Sequence, residues 1–82
     1  MNEIEEQVRE AIANVMHLNE DEKAKMTRAS NLAEFGGDSQ SVIEIALELE
    51  YRLDIKIPDE DIEFQTVGQV IDYVTKAVQK LS

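Results

Sequence analysis

Hydrophobic residues recur at intervals of three and four along most of the chain, which is the spacing of helices that bury one face. The first such run predicts a helix from about Asn2 to Met16. Its apolar positions are Ile4, Val8, Ala11, Ile12 and Val15. From His17 to Gly37 the periodicity fades and turn-forming residues accumulate, so we expect a long ordered loop with room for a short helical turn. Four apolar residues of this loop are spaced to return to the core: Leu18, Met26, Leu32 and Phe35.

The strongest helical pattern in the chain follows Asp38 and Ser39. Either side chain can cap the free backbone amides of a first helical turn. We therefore predict a second helix that begins at these residues and ends at about Arg52 or Leu53. Its core positions are Val42, Ile45, Ala46, Leu49 and Leu53.

Two further helices are predicted in the last third of the chain. The connector Asp54–Pro58 should be extended because a residue before proline disfavours the helical conformation. Pro58 suits the first turn of a short third helix that reaches about Phe64. Thr66 and Gln69 have the spacing of a capping box, and the apolar pattern after them continues to the C-terminus as a fourth helix. Its apolar positions are Val67, Val70, Ile71, Val74, Val78 and Leu81.

The order of these elements predicts an all-α fold. It is a small four-helix bundle, with three main helices, one short helix and a long loop between helices one and two. There is no internal repeat, low-complexity tract or interdomain linker, so we expect residues 1–82 to form a single domain.

The charge of the chain excludes some partners and favours others. Eighteen acidic residues against eight basic ones give a net charge of −10, the wrong sign for binding a nucleic-acid backbone. Such a field attracts basic surfaces on other proteins. The N-terminal segment is acidic where a secretory signal is basic and apolar, and no apolar run approaches membrane-spanning length. We therefore expect a cytoplasmic monomer that binds neither nucleic acid nor membrane.

Few residues could support catalysis. The chain has one histidine, His17, and no cysteine, so no His or Cys partner exists for a metal site or an activated nucleophile. The acidic residues around Asp59 do not follow the spacing of a calcium-binding loop. We expect a protein that is not an enzyme and that holds no metal.

The segment Phe35–Ser39 differs from the rest because paired glycines place a hydroxyl at the start of a helix. A phosphodiester attached to Ser39 would lie among free backbone amides. The alternative interpretation is that Asp38 and Ser39 are simply a helix cap.

A second feature is the face of the second helix that the core does not use. Ile43 and Leu47 lie there, in line with Gln40, and Glu44, Glu48 and Glu50 flank them. An apolar centre with an acidic rim is typical of a surface that binds basic partners. Alternatively, a loop that carries Ile55, Ile57 or Phe64 covers this face. Tyr51 and Tyr73 are interpreted as packing residues.

These residues resemble the acyl carrier protein family over nearly the whole chain. The matching segments are Phe35–Ser39, Val42–Glu50, Ile57–Glu60, Thr66–Val67 and Ile71–Val74. The resemblance implies a four-helix bundle in which Ser39 carries 4′-phosphopantetheine, whose thiol holds acyl intermediates as thioesters. It also implies that a phosphopantetheinyl transferase supplies the base and metal for attachment, and that Asp38 contacts this transferase. Acyl-transferring and acyl-modifying enzymes with basic docking patches would bind the second helix through Ile43, Glu44, Leu47 and Glu48.

The chain departs from the family at Gln40, where most carriers have a leucine that partners bury. The departure predicts a specialised carrier and leaves its pathway open among fatty-acid, polyketide and related biosynthesis. The paired glycines also resemble the thiolation domains of peptide synthetases, so aminoacyl or peptidyl cargo is an alternative. A third possibility is an unmodified interaction module. Ser41 is the rival acceptor residue, although no acidic residue precedes it directly.

Overall fold

The computed structural model describes residues 3–81, which form an all-helical bundle. The four α-helices are α1 (Glu3–Met16), α2 (Glu20–Lys25), α3 (Ser39–Leu53) and α4 (Val67–Leu81). Two short 3₁₀ turns lie at Leu32–Phe35 and Asp59–Asp61. Over residues 3–81 the backbone forms no β-strand, only an isolated antiparallel bridge between Asn31 and Thr66. The predicted fold class is confirmed.

The long loop contains the short helical turn for which its sequence left room. It is α2, where Asn19 accepts a hydrogen bond from the Glu22 amide and the Glu22 carboxylate accepts one from the Asn19 amide. The predicted helix from Pro58 to Phe64 is only the 3₁₀ turn at Asp59–Asp61. The helical turn ends at Ile62, whose ψ of +77° is outside the helical region and whose amide donates to the carbonyl of Asp59.

The boundaries of the long helices follow the predictions closely. Helix α1 ends at Met16 and α3 ends at Leu53, as predicted. The Thr66–Gln69 capping box is present, with two reciprocal hydrogen bonds of 3.2 Å. The predicted first residue of helix one, Asn2, and the C-terminal residue of helix four, Ser82, lie outside the described residues.

The core lies between α1, α3 and α4, with α1 packed against both of the other long helices. Each long helix contributes one buried stripe. These stripes are Val8, Ala11 and Ile12 from α1; Ile45, Ala46 and Leu49 from α3; and Val67, Val70, Ile71 and Val74 from α4. Met26 and Leu32 from the long loop and Ile55 and Ile57 from the connector are also buried. The loop therefore returns to the core, as its apolar spacing predicted.

The backbone of the long loop forms hydrogen bonds with α1 and with the start of α4. The Arg9 guanidinium on α1 donates hydrogen bonds to the backbone carbonyls of Met26 and Lys23, at 2.6 and 2.9 Å. Further along, the amides of Val67 and Gly68 donate to the carbonyls of Ser30 and Arg28. The loop backbone thus has partners on α1 and at the start of α4, and this fixes the turn that precedes α3.

No helix in residues 3–81 is long and apolar enough to cross a membrane.

Two leucines on α3 provide a matched test of this packing. We expect Leu49→Ala to lower the free energy of unfolding by about 2–5 kcal/mol, because it leaves a cavity among fully buried neighbours. Leu47→Ala should change it by only about 0.5 kcal/mol, because more than half of that side chain is exposed. Urea unfolding followed by circular dichroism measures both values. Equal losses would contradict the assignment of the two faces.

Candidate functional site

The two glycines of the Phe35–Ser39 segment have different roles. Gly36 has φ of +83°, in the left-handed region, and ends the 3₁₀ turn by donating its amide to Ala33. Gly37 lies so close to the turn that a Cβ atom would stand 2.8 Å from the carbonyl oxygen of Leu32 and 2.5 Å from the Met16 methyl. The first glycine therefore reverses the chain, and the second lets it pack closely before α3 begins.

Asp38 is the N-cap of α3, which resolves the choice between Asp38 and Ser39. Its backbone is extended, and its Oδ1 atom accepts a hydrogen bond of 2.9 Å from the Ser41 amide. This bond from the Ser41 backbone, followed by one from the Ser41 side chain, lowers the pKa of Asp38 below its ordinary value. Because Asp38 supplies the cap, the Ser39 side chain is not needed for that purpose.

Ser39 is the first residue of α3, and its side chain is exposed. Among residues 3–81, no side chain or backbone group forms a hydrogen bond with its hydroxyl. The hydroxyl stands at the helix N-terminus, where backbone amides lack helical partners and the helix dipole favours negative charge. The geometry is therefore that of an accessible nucleophile at a site suited to a phosphate.

An open cleft of about 700 Å³ lies beside Ser39. One wall is the 3₁₀ turn at Leu32 and the other is the segment Ile62–Gln65, while Val42 and Ile43 of α3 form part of the lining. The lining is mixed in polarity, with Asn31 and Glu63 beside the apolar side chains. A flexible group attached at Ser39 can reach this cleft without any change of the backbone.

Most of the predicted partner-binding residues share one exposed face of α3. Gln40 and Glu44 are exposed, and Ile43 and Leu47 retain 39% and 57% of their accessible surface. Ile55 and Ile57 do not cover this face, because they are buried in the core, and the segment Ile62–Gln65 faces Ile43 only across the open cleft. Phe64 instead packs against the Tyr73 ring, with the ring centres 5.4 Å apart.

Glu48 is separated from the other four residues by its interactions. Its carboxylate accepts a hydrogen bond of 2.8 Å from Arg52 Nε, and the same guanidinium reaches Gln7 and Glu10 on α1. Asn14 of α1 also donates to Glu48. The Glu48 side chain therefore lies at the edge of the exposed face, where it connects α3 to α1.

Tyr51 is an exposed residue of α3 that was not among the predicted partner-binding residues. The prediction that it packs in the interior is wrong, because 88% of its surface is exposed. The signal that could have identified it is its position four residues after Leu47, which itself follows Ile43 by four. Tyr73, by contrast, is largely covered, and its hydroxyl donates a hydrogen bond of 2.6 Å to Asp61. That bond, with a smaller contribution from burial, raises the pKa of Tyr73 to about 12.

Neither His17 nor the acidic residues form a metal site in the described chain. His17 follows α1 directly, with φ of +56°, and its side chain is exposed. Over residues 3–81, no three His, Asp or Glu side chains are grouped closely enough to hold a metal ion.

Comparisons with known proteins point to one family. The sequence profile described as "Phosphopantetheine attachment site" matches residues 6–74. The acyl carrier protein of Clostridium perfringens (strain 13 / Type A) is 39% identical over 77 residues, which cover 92% of this chain and 97% of that protein. That of Chlorobium phaeobacteroides is 39% identical over 75 residues, covering 90% and 94%. A solution structure from Anaplasma phagocytophilum, described as an acyl carrier protein, superposes with a TM-score of 0.78 at 31% identity, covering 99% of this chain and 91% of that one.

The Asp38 cap predicts a specific dependence of stability on pH. Since the folded state lowers the pKa of Asp38, the stabilisation by its carboxylate is complete above the ordinary pKa, about 3.9, and is lost as the pH falls through the lower folded value. Asp38→Ala should lower the melting temperature at neutral pH because the Ser41 amide loses its acceptor.

Asp38→Asn is the matched control, because asparagine also caps helices but carries no charge. The difference in melting temperature between the native chain and Asp38→Asn should shrink as the pH falls below about 4. Calorimetry at several pH values measures this difference. A difference that stays constant across this range would rule out a contribution of the charged cap.

Proposed function

This chain belongs to the acyl carrier protein family and is a carrier that uses 4′-phosphopantetheine, and we propose that Ser39 is the residue to which that group is attached. The observation that carries the proposal is the exposed Ser39 hydroxyl, free of hydrogen bonds to residues 3–81, at the N-terminus of α3. When bound, the group supplies a terminal thiol that holds acyl groups as thioesters. The chain's own contribution is to present the hydroxyl.

The residues around Ser39 fit this group. The first-turn amides of α3 favour a negatively charged phosphodiester, and the adjacent cleft gives room for an attached chain. Asp38 Oδ1 accepts a hydrogen bond from the Ser41 amide, so the Asp38 carboxylate acts as a helix cap and we assign it no role as the base for the Ser39 hydroxyl. Activation of the hydroxyl is therefore assigned to the phosphopantetheinyl transferase, which supplies the base and the metal. Members of this family are carriers and not catalysts.

Acyl carrier proteins interact with phosphopantetheinyl transferases and with biosynthetic enzymes. We assign their docking on this chain to the face formed by Gln40, Ile43, Glu44 and Leu47, with Asp38 as a contact of the transferase. The side chains of this face are exposed and begin one residue after Ser39, so a partner that reaches the serine also meets them. Glu48 joins the face at its edge, while Arg52 holds its carboxylate.

Gln40 is the residue that distinguishes this carrier. An exposed amide next to the attachment serine must be covered when a partner encloses that serine. Burial without a hydrogen bond costs about 1–3 kcal/mol, so partners that offer a donor or acceptor are favoured. We therefore propose a specialised carrier whose acyl or aminoacyl cargo belongs to fatty-acid, polyketide or related biosynthesis. We further propose that residues 1–82 act as one carrier domain, as a monomer, in the cytoplasm, where acyl carrier proteins are generally found.

The assignment of Ser39 is tested by intact mass. After incubation with coenzyme A, magnesium and a broad-specificity phosphopantetheinyl transferase, the native chain should gain the mass of one phosphopantetheinyl group. Ser39→Ala should gain nothing, because the acceptor oxygen is absent. Ser41→Ala, the matched control two residues along the same helix, should be modified like the native chain. Modification of Ser39→Ala, or none of the native chain, would overturn the assignment.

The exposure of Leu47 also supports a second candidate, an interaction module that binds one partner and needs no modification. Complementation in the native cell separates the two. If the chain is a carrier, Ser39→Ala should abolish function as completely as deletion does, although the variant stays folded. If it is an unmodified module, Ser39→Ala should complement fully and only Leu47→Asp should fail.

A further inference from the structure

The exposed face of α3 extends beyond the residues that were predicted for it. With 3.6 residues per turn, Gln40, Ile43, Leu47 and Tyr51 fall within an arc of roughly 100°, on the side of α3 away from the core. The exposure of the apolar side chains rises along the helix, from 39% at Ile43 to 57% at Leu47 and 88% at Tyr51. Within residues 3–81 the Tyr51 hydroxyl has no hydrogen-bond partner and its ring is stacked on no other ring. The most exposed large hydrophobic side chain thus stands at the far end of this stripe.

The acidic residues beside this stripe are not all available to a partner. Glu48, on one flank, is paired with Arg52, and Glu50, on the other, accepts a hydrogen bond of 2.8 Å from the Ile57 amide. The free carboxylates near the stripe are those of Glu44, which is exposed beside it between Ile43 and Leu47, and of Asp54, which is exposed just beyond the end of α3. The stripe therefore offers apolar and aromatic surface, with one free carboxylate at its side and one beyond Tyr51.

We propose that Tyr51 is an anchor residue for the acyl-transferring enzymes that act on the carrier, bound in an apolar pocket of the enzyme about 12 Å along the helix axis from the contact with Ile43. The inference rests on the proposed attachment at Ser39. A tethered group brings its enzyme to this end of the bundle, and the face that begins beside Ser39 runs without interruption to Tyr51. The partner's pocket is flanked by basic side chains that meet Glu44 and Asp54.

A second copy of this chain is a poorer occupant of the same face. Each copy carries a net charge of −10, and Glu44 and Asp54 of one copy would meet those of the other. An enzyme with basic residues around an apolar pocket satisfies both the charges and the aromatic side chain. Tyrosine also suits an anchor because it buries a large area while its few rotatable bonds lose little entropy.

The first arm of the test identifies what contacts Tyr51. The photocrosslinking amino acid benzoylphenylalanine replaces Tyr51 in the full chain, expressed in its native cell, and Lys25, which is exposed on α2, is replaced in the matched control. Mass spectrometry establishes that Ser39 carries its prosthetic group and identifies any crosslinked protein. We expect an adduct at position 51, absent from the control, with an enzyme that transfers an acyl group to or from the purified holo-carrier.

The second arm measures kinetics with that enzyme. Tyr51→Ala should raise KM by about tenfold or more with little change in kcat, because an anchor distant from the thiol contributes to binding and not to chemistry. Tyr51→Phe should stay within about twofold, since the ring is retained and the hydroxyl has no partner in the free protein. The effect of Tyr51→Ala should persist at high salt, whereas that of Glu44→Gln should shrink.

Each other outcome overturns the inference. No position-specific adduct, an adduct only with a second copy of this chain, or an unchanged KM for Tyr51→Ala would show that Tyr51 is not an anchor. If Ser39 carries the prosthetic group in these experiments, the proposed function stands while this inference fails. If Ser39 carries no such group, both fail together.

Discussion

The close approach of Gly37 to the Leu32 carbonyl and the Met16 methyl is the constraint on which the site depends. It lets the chain leave the 3₁₀ turn at Phe35 and enter α3 at Ser39 after only three residues, with Asp38 in the extended conformation of a cap. The Asp38 carboxylate then accepts the hydrogen bond from the Ser41 amide. Because Asp38 caps the helix, the hydroxyl of Ser39, the residue that follows Asp38, remains free. A larger side chain at position 37 would push the start of α3 away from the turn and change where that hydroxyl points.

Charge in this protein is divided between structure and recognition. Although the net charge is −10, part of the acidic set is engaged internally, with Glu10 and Glu48 on Arg52 and Asp72 on Arg28. These exposed and half-exposed pairs each contribute little stability, so the bundle depends mainly on its buried stripes. The Glu48–Arg52 pair also removes one carboxylate from the free acidic groups at the edge of the outer face of α3. The outer face of α3 is consequently less acidic, and more apolar, than the composition suggests.

The sequence predicts the long helices well because a buried stripe repeats in each of them and because caps mark their starts. It predicts less about segments whose conformation depends on distant partners. Asn19 and Glu22 close a local capping box, whereas the hydrogen bond between Leu32 and Gln65 joins two loops across the bundle and is specified by neither segment alone.

The same limit applies to the site. The position of Ser39 beside the glycines is readable from local sequence, whereas the choice of Asp38 as cap needs the backbone conformation. The engagement of Glu48 depends on α1, which supplies Gln7 and Glu10 beside Arg52 and Asn14 beside Glu48 itself. Tyr51 is exposed because no neighbouring segment of residues 3–81 packs over it, and helical spacing alone does not predict how those segments are placed.

The backbone bonds between the long loop and the start of α4 have a consequence for synthesis on the ribosome. The carbonyls of Arg28 and Ser30 accept hydrogen bonds from the amides of Gly68 and Val67, and the Leu32 amide donates to the Gln65 carbonyl. The part of the long loop that precedes Ser39 is therefore held by residues that are synthesised roughly 35 positions later. Contacts this far apart in the chain form only after the later segment is free to fold back. The turn that leads to Ser39 is therefore completed only once residues 65–68 have left the ribosome and can fold back onto the long loop.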